Sequence, residues 1–116
     1  MNDEIKVDVQ TVDDQTAIIH LAGDVTTFAE KEITEAYQTV SQNNIRNIIF
    51  NFRENDYINS AGIAILIGVV TEARKRNQRL MMAMPSSHFQ KIFRMVGLTQ
   101  YADIYNSLEE AKNHLS

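Results

Sequence analysis

The spacing of apolar residues changes period several times along the chain, and each change marks an element. From Ile5 onward, Ile5, Val7 and Val9 alternate with Lys6, Asp8 and Gln10. A period of two with β-branched residues predicts a half-buried strand. Val12-Asp13-Asp14-Gln15 is a turn signal, and it leads into a second strand, Ala17-Ile18-Ile19-His20-Leu21-Ala22, that ends at Gly23-Asp24. The two strands read as a hairpin. Ala29, Ile33, Ala36, Tyr37 and Val40 then recur at three- and four-residue steps, predicting an amphipathic helix from Phe28 to about Ser41. Thr27 and Glu30 have capping-box spacing at its start, and Gln42-Asn43-Asn44 stops it.

Ile45 to Phe52 is nearly continuous in apolar residues, centred on Ile48, Ile49 and Phe50. That is the pattern of a strand covered on both faces. The polar loop Arg53-Glu54-Asn55-Asp56 precedes Tyr57-Ile58-Asn59-Ser60-Ala61-Gly62, from which a long helical stretch runs to about Arg76. Asn77 is placed as its left-handed terminator. Leu80-Met81-Met82-Ala83-Met84, bounded by Pro85, predicts a buried strand that takes all three methionines into the core. Ser87 and Gln90 repeat the capping spacing, Phe89, Ile92, Phe93 and Val96 share one helix face, and Gly97 ends it. Ile104-Tyr105 is a short strand, and Ser107 with Glu110 opens a last helix toward Leu115.

The order β-β-α-β-α-β-α-β-α defines an α/β fold. Alternating strands and helices imply crossovers in a mixed, mostly parallel sheet packed by helices, with the hairpin as an antiparallel edge at the N-terminal end. No linker, repeat or low-complexity stretch interrupts it, so residues 1–116 are expected to form a single domain.

Composition narrows the function classes. A chain of 116 residues with 44% hydrophobic residues can bury one real core and is not disordered. It has no cysteine, which excludes disulfides, thiolate metal sites, iron–sulfur clusters and cysteine nucleophiles. Eleven basic against 15 acidic residues, a net charge of −4, argues against direct nucleic-acid binding, which needs many cations to displace counterions. The N-terminal residues lack the pattern of a secretory signal, and the apolar run Ala61 to Val70 is shorter than the roughly 20 residues that span a bilayer. A cytoplasmic domain without membrane contact is the expectation.

Catalytic constellations are thin. His20, His88 and His114 have no metal-ligand spacing, and each reads as an exposed or hydrogen-bonded residue. Gly62 and Gly68 make no dinucleotide fingerprint. Ser60 follows a strand-like segment and opens a helix, but a nucleophile elbow needs glycine two residues earlier, where Ile58 stands. No catalytic residue, metal or cofactor is therefore assigned, and the chain reads as a non-enzyme.

The informative segment is the helix that begins near Ser60. On a wheel of 100° per residue, Ile63, Leu66, Ile67 and Val70 form a face for the sheet. The opposite side carries Ala61, Ile65, Gly68 and Val69 above Glu72, where an ordinary surface helix would carry lysine and glutamate. Either another element of the fold covers this side or it is reserved for a partner. Ser60 itself has two readings. It is a good N-cap residue. Equally, a phosphate there is tolerated by the helix N-terminus yet hard to bury in an apolar interface, which makes the hydroxyl a binding switch. Arg74, Lys75, Arg76 and Arg79 cluster near the helix end, where they complement the dipole.

At these residues the chain resembles the STAS domain, specifically the bacterial anti-sigma factor antagonists. The resemblance is carried by the segments Ile18 to Val25, Ile48 to Phe52 and Tyr57 to Leu66, and by Phe93-Arg94-Met95-Val96-Gly97-Leu98. It covers nearly the whole chain, and the serine segment is its most specific part. It implies a STAS-type fold and a switch of partners that acts on transcription. The unphosphorylated antagonist binds an anti-sigma factor that is also a serine kinase, freeing the sigma factor. The kinase uses ATP to phosphorylate the serine, and a serine phosphatase resets the cycle. Carried onto this sequence, Ser60 is the phospho-acceptor. Asn59, Ser60, Ala61, Gly62, Ile65 and Val69 lie at the contact surface, with Gly23 and Asp24 on the neighbouring loop. Where the family usually has aspartate, this chain has Asn51 and Asn59. The asparagines favour an alternative in which the chain is a STAS interaction subunit, bound to other STAS proteins or to a sensory or scaffold complex without phosphorylation. A third reading is a small-molecule sensor or hydrolase using a pocket near Asp24, Asn51 and Ser60.

Overall fold

In the computed structural model, which describes residues 5–42, 44–53 and 57–115, five strands and four helices alternate as the apolar periodicity predicts. The strands are β1 (Lys6–Asp13), β2 (Thr16–Ala22), β3 (Asn47–Asn51), β4 (Arg79–Ala83) and β5 (Ala102–Tyr105). The helices are α1 (Glu30–Ser41), α2 (Ser60–Lys75), α3 (Ser87–Met95) and α4 (Leu108–Asn113), with 3₁₀ turns at Thr27–Ala29 and Leu98–Gln100. The sheet order is β1-β2-β3-β4-β5, with β1–β2 antiparallel and the other pairs parallel. The expected α/β fold with an antiparallel edge is the one the chain adopts.

Strand parity divides the interior in two. Ile19, Ile48, Phe50, Leu80 and Met82 face the larger core with Ile33, Tyr37, Leu66, Val70, Phe89 and Phe93 from α1, α2 and α3. Ile18, Ile49, Met81 and Ala83 point the other way and meet Ala111 of α4. The three central strands are thus apolar on both faces because helices cover both. A chain of rings, Phe50, Phe52, Phe89 and Phe93, with centroids 6.4, 5.7 and 5.3 Å apart in turn, fixes α3 to the sheet. Such tilted aromatic pairs add to what the buried area alone supplies.

Several local expectations are corrected. Val9 is 42% exposed, because β1 is an edge strand that the helices only partly cover. The turn is shorter than the signal suggested: β1 continues to Asp13, whose carboxylate accepts from the Gln15 N–H at 2.8 Å. Thr27 and Glu30 form no capping box. Instead Thr26 caps the short 3₁₀ turn, accepting from the Phe28 N–H at 3.3 Å, and α1 starts at Glu30 without a side-chain cap. At α3 the cap is Ser86, one residue before Ser87, and Gln90 donates to the Pro85 carbonyl. Met84 leaves β4 with φ 61° and is half-buried, so only Met81 and Met82 are core strand residues. The terminators behave as read: Asn77 has φ 58° and Gly97 φ 80°. Ser107 accepts from the Glu110 N–H, while the Glu110 carboxylate reaches the Asn106 N–H. The Arg53-Glu54-Asn55-Asp56 loop lies outside the described residues after Arg53.

Candidate functional site

Two chain segments some 33 residues apart in sequence are clipped together where α2 begins. After β2, Val25 forms an isolated parallel bridge with Ile58. Its N–H donates to the Tyr57 carbonyl at 2.8 Å and its carbonyl accepts from the Asn59 N–H at 3.2 Å. The Asp24 carboxylate accepts from the Tyr57 N–H at 2.9 Å. Loop Gly23–Thr26 is thereby held against the turn that carries Ser60, and the 3₁₀ turn Thr27–Ala29 continues along α2.

Asn59 is the N-cap of α2. Its backbone is extended (φ −92°, ψ −177°) and its Oδ1 accepts from the Gly62 N–H at 2.8 Å. Capping therefore falls to Asn59 rather than Ser60, which is the first helical residue. The amide oxygen does what a carboxylate would do at an N-cap, so asparagine here leaves the helix start intact. Relieved of that task, the Ser60 hydroxyl is exposed and has no hydrogen-bond partner among the described residues. It lies at the positive end of a helix 16 residues long, where anionic groups are favoured.

The structure places the sequence-predicted contact residues at different depths. Asp24 and Ser60 are exposed; Gly23, Asn59, Ala61 and Ile65 are half-buried; Gly62 and Val69 are buried. Gly62 packs so tightly that a Cβ there would sit 2.1 Å from the Val25 carbonyl oxygen. Val69, 6% exposed, belongs to the main core and meets solvent space only as the floor of a groove. These two residues support the surface from below. The helical wheel was out of phase: α2 turns Gly62, Leu66, Val69, Val70 and Ala73 inward and Ser60, Ala64, Gly68 and Thr71 outward, leaving Ile63 and Ile67 half-buried. An almost wholly apolar helix has a weak preference for any one face, so the close approach of Gly62 to Val25 decides its rotation.

Sequence reasoning missed two aromatic residues. Phe28 is 72% exposed and Tyr57 57% exposed, each on a segment that borders the start of α2. The available signal was an aromatic residue off the apolar stripe and next to a helix start. Tyr57 is bonded through its N–H to the exposed Asp24 and precedes exposed Ser60 by three residues.

Between α1 and α2 runs a groove of about 430 Å³, lined by residues that include Glu30, Thr34, Tyr37, Ala64, Ile65, Gly68 and Glu72. On its floor, burial pushes the Tyr37 phenol above its ordinary value, opposed by the hydroxyl of Ser41 and the charge of Arg76. The Tyr37 hydroxyl donates to Gln78 Oε1 at 2.7 Å.

Asn51 does not join Ser60. It lies on the sheet face that α4 covers, and its Nδ2 is 3.0 Å from His20 Nδ1, while His20 Nε2 is 2.8 Å from Gln10 Oε1. Asn51 Oδ1 is buried without a hydrogen-bond partner among the described residues. Among the described residues Asn51 bonds His20, while the Asp24 carboxylate bonds the Tyr57 N–H, so no hydrogen bond joins Asp24, Asn51 and Ser60 to one another. His20 is a hydrogen-bonded, half-buried residue, and His114 lies against Tyr105 with ring centroids 4.8 Å apart. Among the described residues no group of three or more His, Asp or Glu could hold a metal ion, and no helix is long and apolar enough to cross a membrane.

The chain resembles the phosphorylated form of the Bacillus cell fate determinant SpoIIAA, with TM-score 0.73 and 22% identity over 96% of this chain and 100% of that one. It matches the unphosphorylated form of the anti-sigma factor antagonist SpoIIAA with TM-score 0.74 and 24% identity, over 93% and 94% of the two chains. An anti-sigma factor antagonist from Mycobacterium paratuberculosis superposes with TM-score 0.81 at 15% identity, over 97% and 95%. No curated protein sequence matches. The family profile of the STAS domain matches residues 6–111, nearly the full length, and the chain belongs to the STAS domain family.

Proposed function

We propose that this chain is an anti-sigma factor antagonist, a regulatory binding protein of the bacterial cytoplasm with no catalysis of its own. With a free hydroxyl on Ser60 it binds an anti-sigma factor serine kinase and releases the sigma factor. The kinase ends the complex by transferring the γ-phosphoryl group of ATP. The Ser60 oxygen bonds to the γ-phosphorus, the bond from that phosphorus to the β–γ bridging oxygen breaks, and ADP leaves with the serine proton taken up by a base of the kinase. A serine phosphatase restores the hydroxyl.

The observation that carries this reading is exposed Ser60 at the first residue of α2, its hydroxyl without a hydrogen-bond partner among the described residues, following the turn in which Asp24 is bonded to Tyr57. A kinase needs a reachable oxygen, and a switch needs that oxygen inside the docking surface. Phosphate brings about −1.5 to −2 charges at pH 7. Its own helix N-terminus accommodates that charge, whereas an apolar partner surface closing over it does not.

The test is incubation with the anti-sigma factor kinase and ATP, followed by mapping of the phosphate by mass. Transfer to Ser60 is expected; its absence refutes the switch. In titrations Ser60→Asp weakens kinase binding at least tenfold, whereas Ser60→Ala binds and is not released by ATP. Equal affinity of all three forms contradicts the proposal. The alternative of a STAS interaction subunit without phosphorylation draws on Asn51 and Asn59, and it predicts binding to other STAS proteins with no transfer to Ser60.

A further inference from the structure

Gly68 sits mid-helix on the exposed side of α2, and a Cβ built there meets nothing within 4 Å. Glycine inside a helix destabilises it relative to alanine, so an internal packing need is the usual reason to find one. Gly62 has such a reason and Gly68 has none. Gly68 instead opens the middle of the α1–α2 groove, flanked by Ala64 and Ile65 and floored by Val69 and Tyr37. Along α2 the groove extends from Ala64 to Arg76, a length of about 18 Å at the helical rise. That matches about three turns of another helix. Its charge is asymmetric. Glu72 is paired with Arg76 at 3.1 Å, whereas Glu30 has no ion pair among the described residues.

We propose that the α1–α2 groove receives one amphipathic helix of the protein partner, packed closely over Gly68 with a basic side chain beside Glu30. The absent Cβ lets the incoming helix approach within the short interaxial distance that small residues permit. Recognition follows the helix-in-groove mode, in which apolar side chains three and four residues apart supply affinity. The Glu30 carboxylate, without an ion pair among the described residues, sets the orientation of the incoming helix. This docking surface rests on the partner-binding reading above and extends it from the start of α2 along its length.

The test uses the full chain, the serine kinase that acts on Ser60, and three variants. Gly68→Leu fills the groove and weakens kinase binding at least tenfold. Glu30→Gln weakens it a few-fold and flattens its salt dependence. Gly68→Ala melts about 2–4 °C higher than the parent chain, as a helix relieved of an interior glycine should. Parental binding by Gly68→Leu, with Ser60→Asp still impaired, overturns the groove and leaves the Ser60 switch standing. If Ser60→Asp also binds like the parent, the partner-binding reading fails and this inference with it. A lower melting temperature for Gly68→Ala shows that the glycine serves the fold and overturns the inference. So does sedimentation showing a parental dimer that Gly68→Leu dissolves, because a second copy would then occupy the groove.

Discussion

Gly62 and Gly68 lie less than two turns apart on α2 and answer to different demands. At Gly62 the chain closes on itself: the Val25 carbonyl occupies the space a side chain would need, and the loop after β2 is thereby held to the start of α2. At Gly68 the same helix faces open space. One glycine is explained by this molecule alone and the other is not. The docking proposal addresses the second glycine, where a side chain would meet nothing within 4 Å.

The contrast can be broken by measurement. Gly62→Ala drives a methyl group into a backbone carbonyl that cannot rotate away, and a loss of about 3 kcal/mol in urea unfolding is expected. A loss below half of that would mean the loop yields easily and the clip is loose. Tyr37→Phe, under the groove, removes the hydrogen bond to Gln78 at a cost of about 1 kcal/mol. It has a pH signature as well. Burial raises the phenol above its reference value of 10.0, so the folded chain holds that proton more tightly than the unfolded one. The stability that the protonated phenol contributes is then fully present well below pH 10 and is lost as pH rises through 10 and above, a decline that Tyr37→Phe removes when unfolding curves at pH 8 and 10.5 are compared.

Asn59→Ala removes the cap and costs about 1 kcal/mol, with Asn59→Asp restoring most of it. Ser60→Ala, one residue on, costs less than about 0.5 kcal/mol, because the hydroxyl bonds nothing in the described chain. A large destabilisation by Ser60→Ala would return the capping role to the serine and weaken the case for a switch.

The strand and helix order was legible because period and composition are local properties. The buried strands at Ile48 to Phe50 and Leu80 to Met82 announced themselves by unbroken apolar runs. The helix starts were less legible. Thr26, Ser86 and Asn59 each cap one residue earlier than the spacing suggested, since threonine, serine and asparagine stand next to one another and all can cap. Ser60 stands out in the sequence by its place before a helix, but that its hydroxyl is left without a partner among the described residues follows from Asn59 taking the cap. Phe28 and Tyr57 were passed over because exposure cannot be read from an aromatic residue's identity.

By itself the sequence determined the elements, their order, and the serine at the head of an apolar helix, because backbone preference and hydrophobic spacing act over a few residues at a time. Tertiary structure alone decided the rotation of α2, the joining of Asp24 to Tyr57, and the pairing of Asn51 with His20. An apolar helix can turn almost any side toward a sheet at similar free energy. Here the packing fixes it, with Leu66, Val69, Val70 and Ala73 in the core and the Val25 carbonyl against Gly62 allowing no side chain there.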